Sequence, residues 1–88
     1  MNRQIKISGK VQGVFFRKST QKKALELGLR GWVKNEADGS VLVEIEGELP
    51  SILAMQSWLR LGPPNAVVEN LNIISGEERN YDDFLILE

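Results

Sequence analysis

Two short stretches carry residue types and spacings suited to chemistry on an anion. The first is Gly9-Lys10-Val11-Gln12-Gly13-Val14-Phe15-Phe16-Arg17. A strand-like alternation at Ile5 and Ile7 precedes it and a helix-like stretch follows. A glycine-punctuated turn at the start of a helix points backbone N–H groups outward, where an anion can dock. Arg17 closes the stretch with a planar fork of charged donors whose shape matches phosphate oxygens. A bound dianion would also reverse the penalty of ~0.3–1 kcal/mol that a cation meets at a helix N-terminus. The second stretch is Gly31-Trp32-Val33-Lys34-Asn35, followed by Asp38-Gly39-Ser40. Asn35 offers an uncharged amide, both donor and acceptor, on a strand just before a turn. Each stretch also has a plainer use. Gly9 and Gly13 are what a turn with positive φ requires, and an asparagine before a turn can bond its own backbone.

The elements that must position these residues follow from periodicity. Residues 2–8 alternate and predict a strand, and residues 9–16 form the glycine turn. A helix is predicted from about Arg17 to Leu27, because Phe16, Thr20, Ala24 and Leu27 share one helical face while Lys18, Lys22 and Lys23 fall away from it. Gly28 stops that helix. Residues 30–36 and 40–47 predict two strands, with Asp38-Gly39 between them as a hairpin signal. Pro50 suits a first helical turn, and Ile52, Met55 and Leu59 give an apolar stripe to about Leu61, where Gly62-Pro63-Pro64 breaks the helix. A fourth strand over 66–74 has its phase broken between Val68 and Leu71, as a bulge would do. A polar loop over 75–81 leads to a last short strand near 82–87, marked by Phe84 and Ile86. The order β-α-β-β-α-β plus a terminal strand predicts an α+β, ferredoxin-like sandwich: an antiparallel sheet of four to five strands with both helices on one face.

Composition narrows the chemistry. Eighty-eight residues, 42% hydrophobic and 26% charged, predict one globular domain over residues 1–88. With no cysteine there is no thiolate nucleophile, and with no histidine the usual general base and commonest zinc ligand are missing. No metal site is expected; the acids Glu77, Glu78, Asp82 and Asp83 lack ligand spacing and read as solvated. The N-terminus carries no signal-like apolar run and no stretch is long enough for a membrane span, so cytoplasm is the expectation. The net charge of −1 hides an asymmetry: residues 1–34 carry a net +8 and residues 35–88 a net −9. Two solvated faces of opposite sign would explain it, as would a positive field drawing a small anion toward Arg17. Nucleic acid is disfavoured, because the compensating acids share the same small body.

The two stretches together resemble the signatures of the acylphosphatase family. Gly9-x-Val11-Gln12-Gly13-Val14-x-Phe16-Arg17 matches the first, and Gly28-Leu29-x-Gly31-Trp32-Val33-x-Asn35-x-x-Asp38-Gly39-Ser40-Val41 the second. Gly62-Pro63-x-x-Ala66-x-Val68 and the Phe84-x-Ile86 ending also fit, so the likeness covers nearly the whole chain. The resemblance implies hydrolysis of the carboxyl–phosphate bond of acyl phosphates by direct attack of a positioned water. It places the catalytic arginine on Arg17, the catalytic asparagine on Asn35 and the phosphate loop on Gly9 to Phe15. The backbone N–H groups of Val11, Gln12, Gly13, Val14 and Phe15 would then converge on the phosphoryl group as an anion nest. Asparagine is too weak a base to deprotonate water, so the substrate's phosphate would take the proton. No metal, cofactor or covalent intermediate is implied. The expected partners are an acyl phosphate and inorganic phosphate, with no nucleic acid and no membrane, and the expected state is a monomer. Glu36, an acid beside the anion site, is the detail to watch.

Two other functions share this topology. An RNA-recognition module would stack bases on sheet aromatics, but Ser40-Val41-Leu42-Val43-Glu44 carries no such run. A regulatory domain could bind a small anion without turning it over, and release of phosphate from benzoyl phosphate separates it from an enzyme.

Overall fold

A computed structural model describes residues Met1–Glu88. The elements run β1 (Asn2–Lys10), α1 (Phe16–Glu26), β2 (Arg30–Asn35), β3 (Val41–Glu46), α2 (Leu49–Leu61), β4 (Val67–Gly76) and β5 (Phe84–Ile86). Alternation in β1 and β3 turns Ile5, Ile7, Val41, Val43 and Ile45 to one face of the sheet, all of them fully buried. The predicted helical stripes meet them: α1 buries Phe16, Thr20 and Ala24, and α2 buries Ile52, Met55 and Leu59. Phe16 and Trp58 close the seam between the helices, their ring centroids 6.2 Å apart.

The five strands lie in the order β4-β1-β3-β2-β5. The four expected strands pair antiparallel throughout. The short β5 departs from the expected antiparallel sheet, because it pairs parallel to β2, with Gly31 opposite Phe84 and Val33 opposite Ile86. A short connection favours this. β4 ends at one edge of the sheet and β5 begins at the other, with only residues 77–83 between them. Four strand spacings of ~4.8 Å take about 19 Å of the roughly 23–25 Å that seven residues at ~3.3–3.6 Å each can span. The connection crosses the sheet without climbing it, so β5 starts where β4 stopped and runs in the direction of β2. The broken phase of the fourth strand is a bulge: Ser8 faces Asn70 and Gly9 faces Val68, leaving Glu69 unmatched. Gly9 sits there at φ 129°, and a Cβ on it would run into the Val67 carbonyl oxygen.

The crossing segment covers two carboxylates on the sheet face opposite the helices. Glu44 and Glu46 are each only 2% exposed, although the alternation of β3 turns them to the face that sequence assigns to solvent. Asn2 donates to both, Gln4 donates to Glu44, and the backbone N–H groups of Arg79 and Tyr81 donate to Glu46. Burial opposes ionisation of Glu44, but bonds from the Tyr81 hydroxyl, Gln4 and Asn2 and the nearby Arg79 charge outweigh it and hold its carboxyl below the ordinary value. Burial likewise opposes ionisation of Glu46, and the Arg79 and Tyr81 amides with Asn2 outweigh it there. A carboxylate whose folded value is depressed contributes stability above its unfolded value, near 4.5 here, and loses that contribution as pH falls through the lower folded value. Urea midpoints should therefore hold steady from about pH 7 to pH 5 and decline below. Glu46→Gln should cost about 1–3 kcal/mol at neutral pH and flatten that acid decline; an unchanged acid limb would refute this origin.

Candidate active site

β1, β2 and the N-terminus of α1 meet at the end of the sheet away from the crossing segment. Beyond Lys10 the chain leaves β1 and must reverse into α1 within residues 11–15. Gly13, at φ 73°, and Phe15, at φ 61°, make the reversal through left-handed backbone. For phenylalanine that conformation costs ~1–2 kcal/mol, a strain of the kind that gathers at functional sites. None of the backbone N–H groups of Val11–Phe15 donates to a carbonyl within the chain. A run of unspent donors ahead of a helix N-terminus, whose own first-turn amides are also free, makes a ready anion cradle.

Arg17 stands in the first turn of α1. Its Nη1 donates to the Leu87 carbonyl at 3.3 Å, just beyond β5. It belongs to none of the four ion pairs of the molecule, so its charge has no carboxylate partner. Asn35 is the last residue of β2. Its Oδ1 is buried and has no hydrogen-bond partner, which is costly unless something else donates to it. Both residues line one cleft of about 380 Å³, together with Val11, Gly13, Phe15, Phe16, Lys18 and Ile86. Residues 17 and 35, eighteen positions apart in sequence, thus border the same cleft.

Two of the five expected loop residues do not line the cleft. Val14 is 8% exposed and joins the core. The Gln12 side chain leaves the loop for the β2–β3 turn, where Nε2 donates to the carbonyls of Glu36 and Ser40 at 2.8 and 2.9 Å. That turn is built on Asp38, whose Oδ1 accepts from the Ser40 N–H at 3.0 Å and hydroxyl at 2.6 Å, while Oδ2 meets Lys6 Nζ at 2.8 Å. The bond from Lys6, then those from Ser40, hold the Asp38 carboxyl far below the usual carboxylate range. The acid at Glu36 is not among the lining residues.

Phe16, Lys18 and Ile86 line the cleft without having been expected there. Lys18 is assigned by periodicity to a solvated helix face, yet it sits one residue after Arg17 on the turn that borders the loop. Ile86 arrives only through the parallel pairing of β5 with β2, which no local pattern announces. No group of three or more acidic, histidine or cysteine side chains is placed to hold a metal ion, and no helix is long and apolar enough to cross a membrane.

A sequence model of the acylphosphatase family matches residues 3–86. The chain is 49% identical over 82 residues to an acylphosphatase of Coxiella burnetii strain RSA 493, covering 93% of this chain and 86% of that protein. It is 45% identical over 83 residues to an acylphosphatase of Pyrobaculum arsenaticum, covering 92% of this chain and 87% of that protein. Among solved structures, the acylphosphatase of Bacillus subtilis superposes with a TM-score of 0.95 at 31% identity, covering 99% of this chain and 98% of that one.

Proposed function

The chain belongs to the acylphosphatase family and hydrolyses acyl phosphates to carboxylate and inorganic phosphate, and we propose that it does so in the cleft between residues 11–18 and Asn35, with Arg17 and Asn35 as catalytic residues. One observation carries this reading. Asn35, whose Oδ1 is buried without a donor, and Arg17, whose charge has no carboxylate partner, line the same cleft, beside a loop whose N–H groups are unspent.

The N–H groups of Val11, Gln12, Gly13, Val14 and Phe15 and the Arg17 fork hold the phosphoryl oxygens. The Asn35 carboxamide holds the attacking water and turns the water's lone pair toward phosphorus, in line with the departing carboxylate. The P–O bond to the carboxylate breaks as the bond to water forms, and a phosphoryl oxygen takes the water's proton. R–CO–O–PO₃²⁻ and water thereby give R–COO⁻ and H₂PO₄⁻. A carboxylate leaves without help from an acid, so the step needs position and charge stabilisation rather than a base. Arginine is suited to this as lysine is not, because its fork meets two oxygens at once. In this reading one cytoplasmic chain supplies the whole site. It works as a monomer on a small molecule, with no role for metal, membrane or nucleic acid.

Incubation with benzoyl phosphate tests the reading. Benzoate and phosphate should appear in equal amounts, the heavy oxygen of labelled water should enter phosphate, and EDTA should leave the rate unchanged. Binding without turnover would make this a regulatory anion-binding domain. Label in benzoate would move the attack from phosphorus to carbon, and a loss of rate in chelator would demand a metal.

A further inference from the structure

We propose that the Gln12 side chain is a positioning residue, a clasp that holds the turn bearing Asn35 at a fixed distance from the phosphate loop. The proposal rests on the catalytic reading of Asn35 given above. Gln12 lies between Val11 and Gly13, both of which line the cleft, but its carboxamide turns away from it. Nε2 spends both hydrogens on the β2–β3 turn, at the carbonyls of Glu36, the residue next to Asn35, and of Ser40. These carbonyls bracket the turn, which the Glu36 N–H closes on the Ser40 carbonyl at 2.8 Å. Between them Ala37, Asp38 and Gly39 are exposed, so little packing fixes the tip. Lys6 holds it from β1 through Asp38, and Gln12 is the tie that reaches it from the loop. A loop that grips phosphorus and a turn that presents water must keep their separation to well under ~1 Å for in-line attack.

The chemistry of the clasp is specific to a carboxamide. Two carbonyl oxygens require two donors on one atom. A glutamate would set negative oxygens against both, an asparagine is a methylene too short, and a methionine fills the space without donating.

Gln12→Met should therefore lower kcat by about tenfold while the inhibition constant of inorganic phosphate moves by less than about twofold, because the backbone cradle is untouched. Gln12→Glu should lower kcat further at neutral pH. In an Asn35→Ala background, Gln12→Met should change kcat by less than about twofold, since the group it positions is gone. Thermal melts establish that each variant is folded. In the unaltered protein, inorganic phosphate should slow hydrogen exchange at the Glu36 and Gly39 amides, a readout that needs no variant. Near-normal kcat in Gln12→Met, equal losses of kcat and phosphate affinity, a full further loss in the Asn35→Ala background, or exchange indifferent to phosphate would each overturn the clasp. A normal kcat in Asn35→Ala itself would instead remove the catalytic reading beneath it.

Discussion

Arg17→Ala should lower kcat/KM by about three orders of magnitude or more, and should weaken inhibition by inorganic phosphate as well. The size follows from what the cleft otherwise contains. Arg17 is the one guanidinium that lines it, and Lys18 beside it is a point charge on a flexible stem. The alanine variant keeps the amide cradle but loses the charge that meets the phosphoryl oxygens as the P–O bond opens. Arg17→Lys separates charge from shape: it should recover part of the phosphate affinity and little of kcat. The Arg17 side chain contributes little to folding, since it makes one bond of 3.3 Å to a carbonyl and no ion pair. Thermal melts of the variant should lie close to those of the parent. Near-normal steady-state kinetics with benzoyl phosphate would remove Arg17 from the mechanism.

Asn35→Ala should divide the two functions that Arg17→Ala takes together. With the carboxamide gone, the water has no group to aim it, and kcat should fall by about 10²–10³-fold. The phosphate inhibition constant should move by less than about twofold, because the loop amides and Arg17 remain. Stability should hold or rise slightly, since the parent buries an acceptor with no partner and alanine removes it. Asn35→Asp is the harsher change. It keeps an acceptor of the same shape but sets a negative charge beside the dianion, and both kcat and phosphate affinity should drop. Equal damage to turnover and phosphate binding in Asn35→Ala would contradict its assignment to water.

Much of this architecture was legible in the chain because local chemistry and tertiary structure agree. The stripe Phe16, Thr20, Ala24 placed α1 to within about one residue of each end, and Ile52, Met55, Leu59 did the same for α2. The phase break between Val68 and Leu71 announced the bulge at Glu69. The first signature announced a turn of unspent amides, because glycine spacing and the approach to a helix are local facts. Features that depend on long-range pairing were not legible. β5 has three residues, too few for a pattern to state its direction, and so Ile86 was not expected in the cleft. Glu44 and Glu46 alternate like solvent-facing residues, and only the path of residues 77–83 shows that they are covered. Gln12 could be read for its backbone amide alone, since nothing near it in sequence names its partners twenty-four and twenty-eight residues away.

The cleft draws on the loop over residues 11–15, the first turn of α1, the end of β2 and the end of β5, and the bond from Arg17 to Leu87 beside it joins residues seventy positions apart. Ring closures of that span cost entropy before they return any contact energy, and proteins built on them fold slowly. A partly assembled chain would therefore possess its locally closed helices before the pairing of Asn2 with Gly76, seventy-four positions apart, and the cleft are in place. Recovery of turnover after dilution from denaturant should lag behind recovery of helical signal, which makes enzymatic rate a sensitive clock for the last stage of this protein's self-assembly.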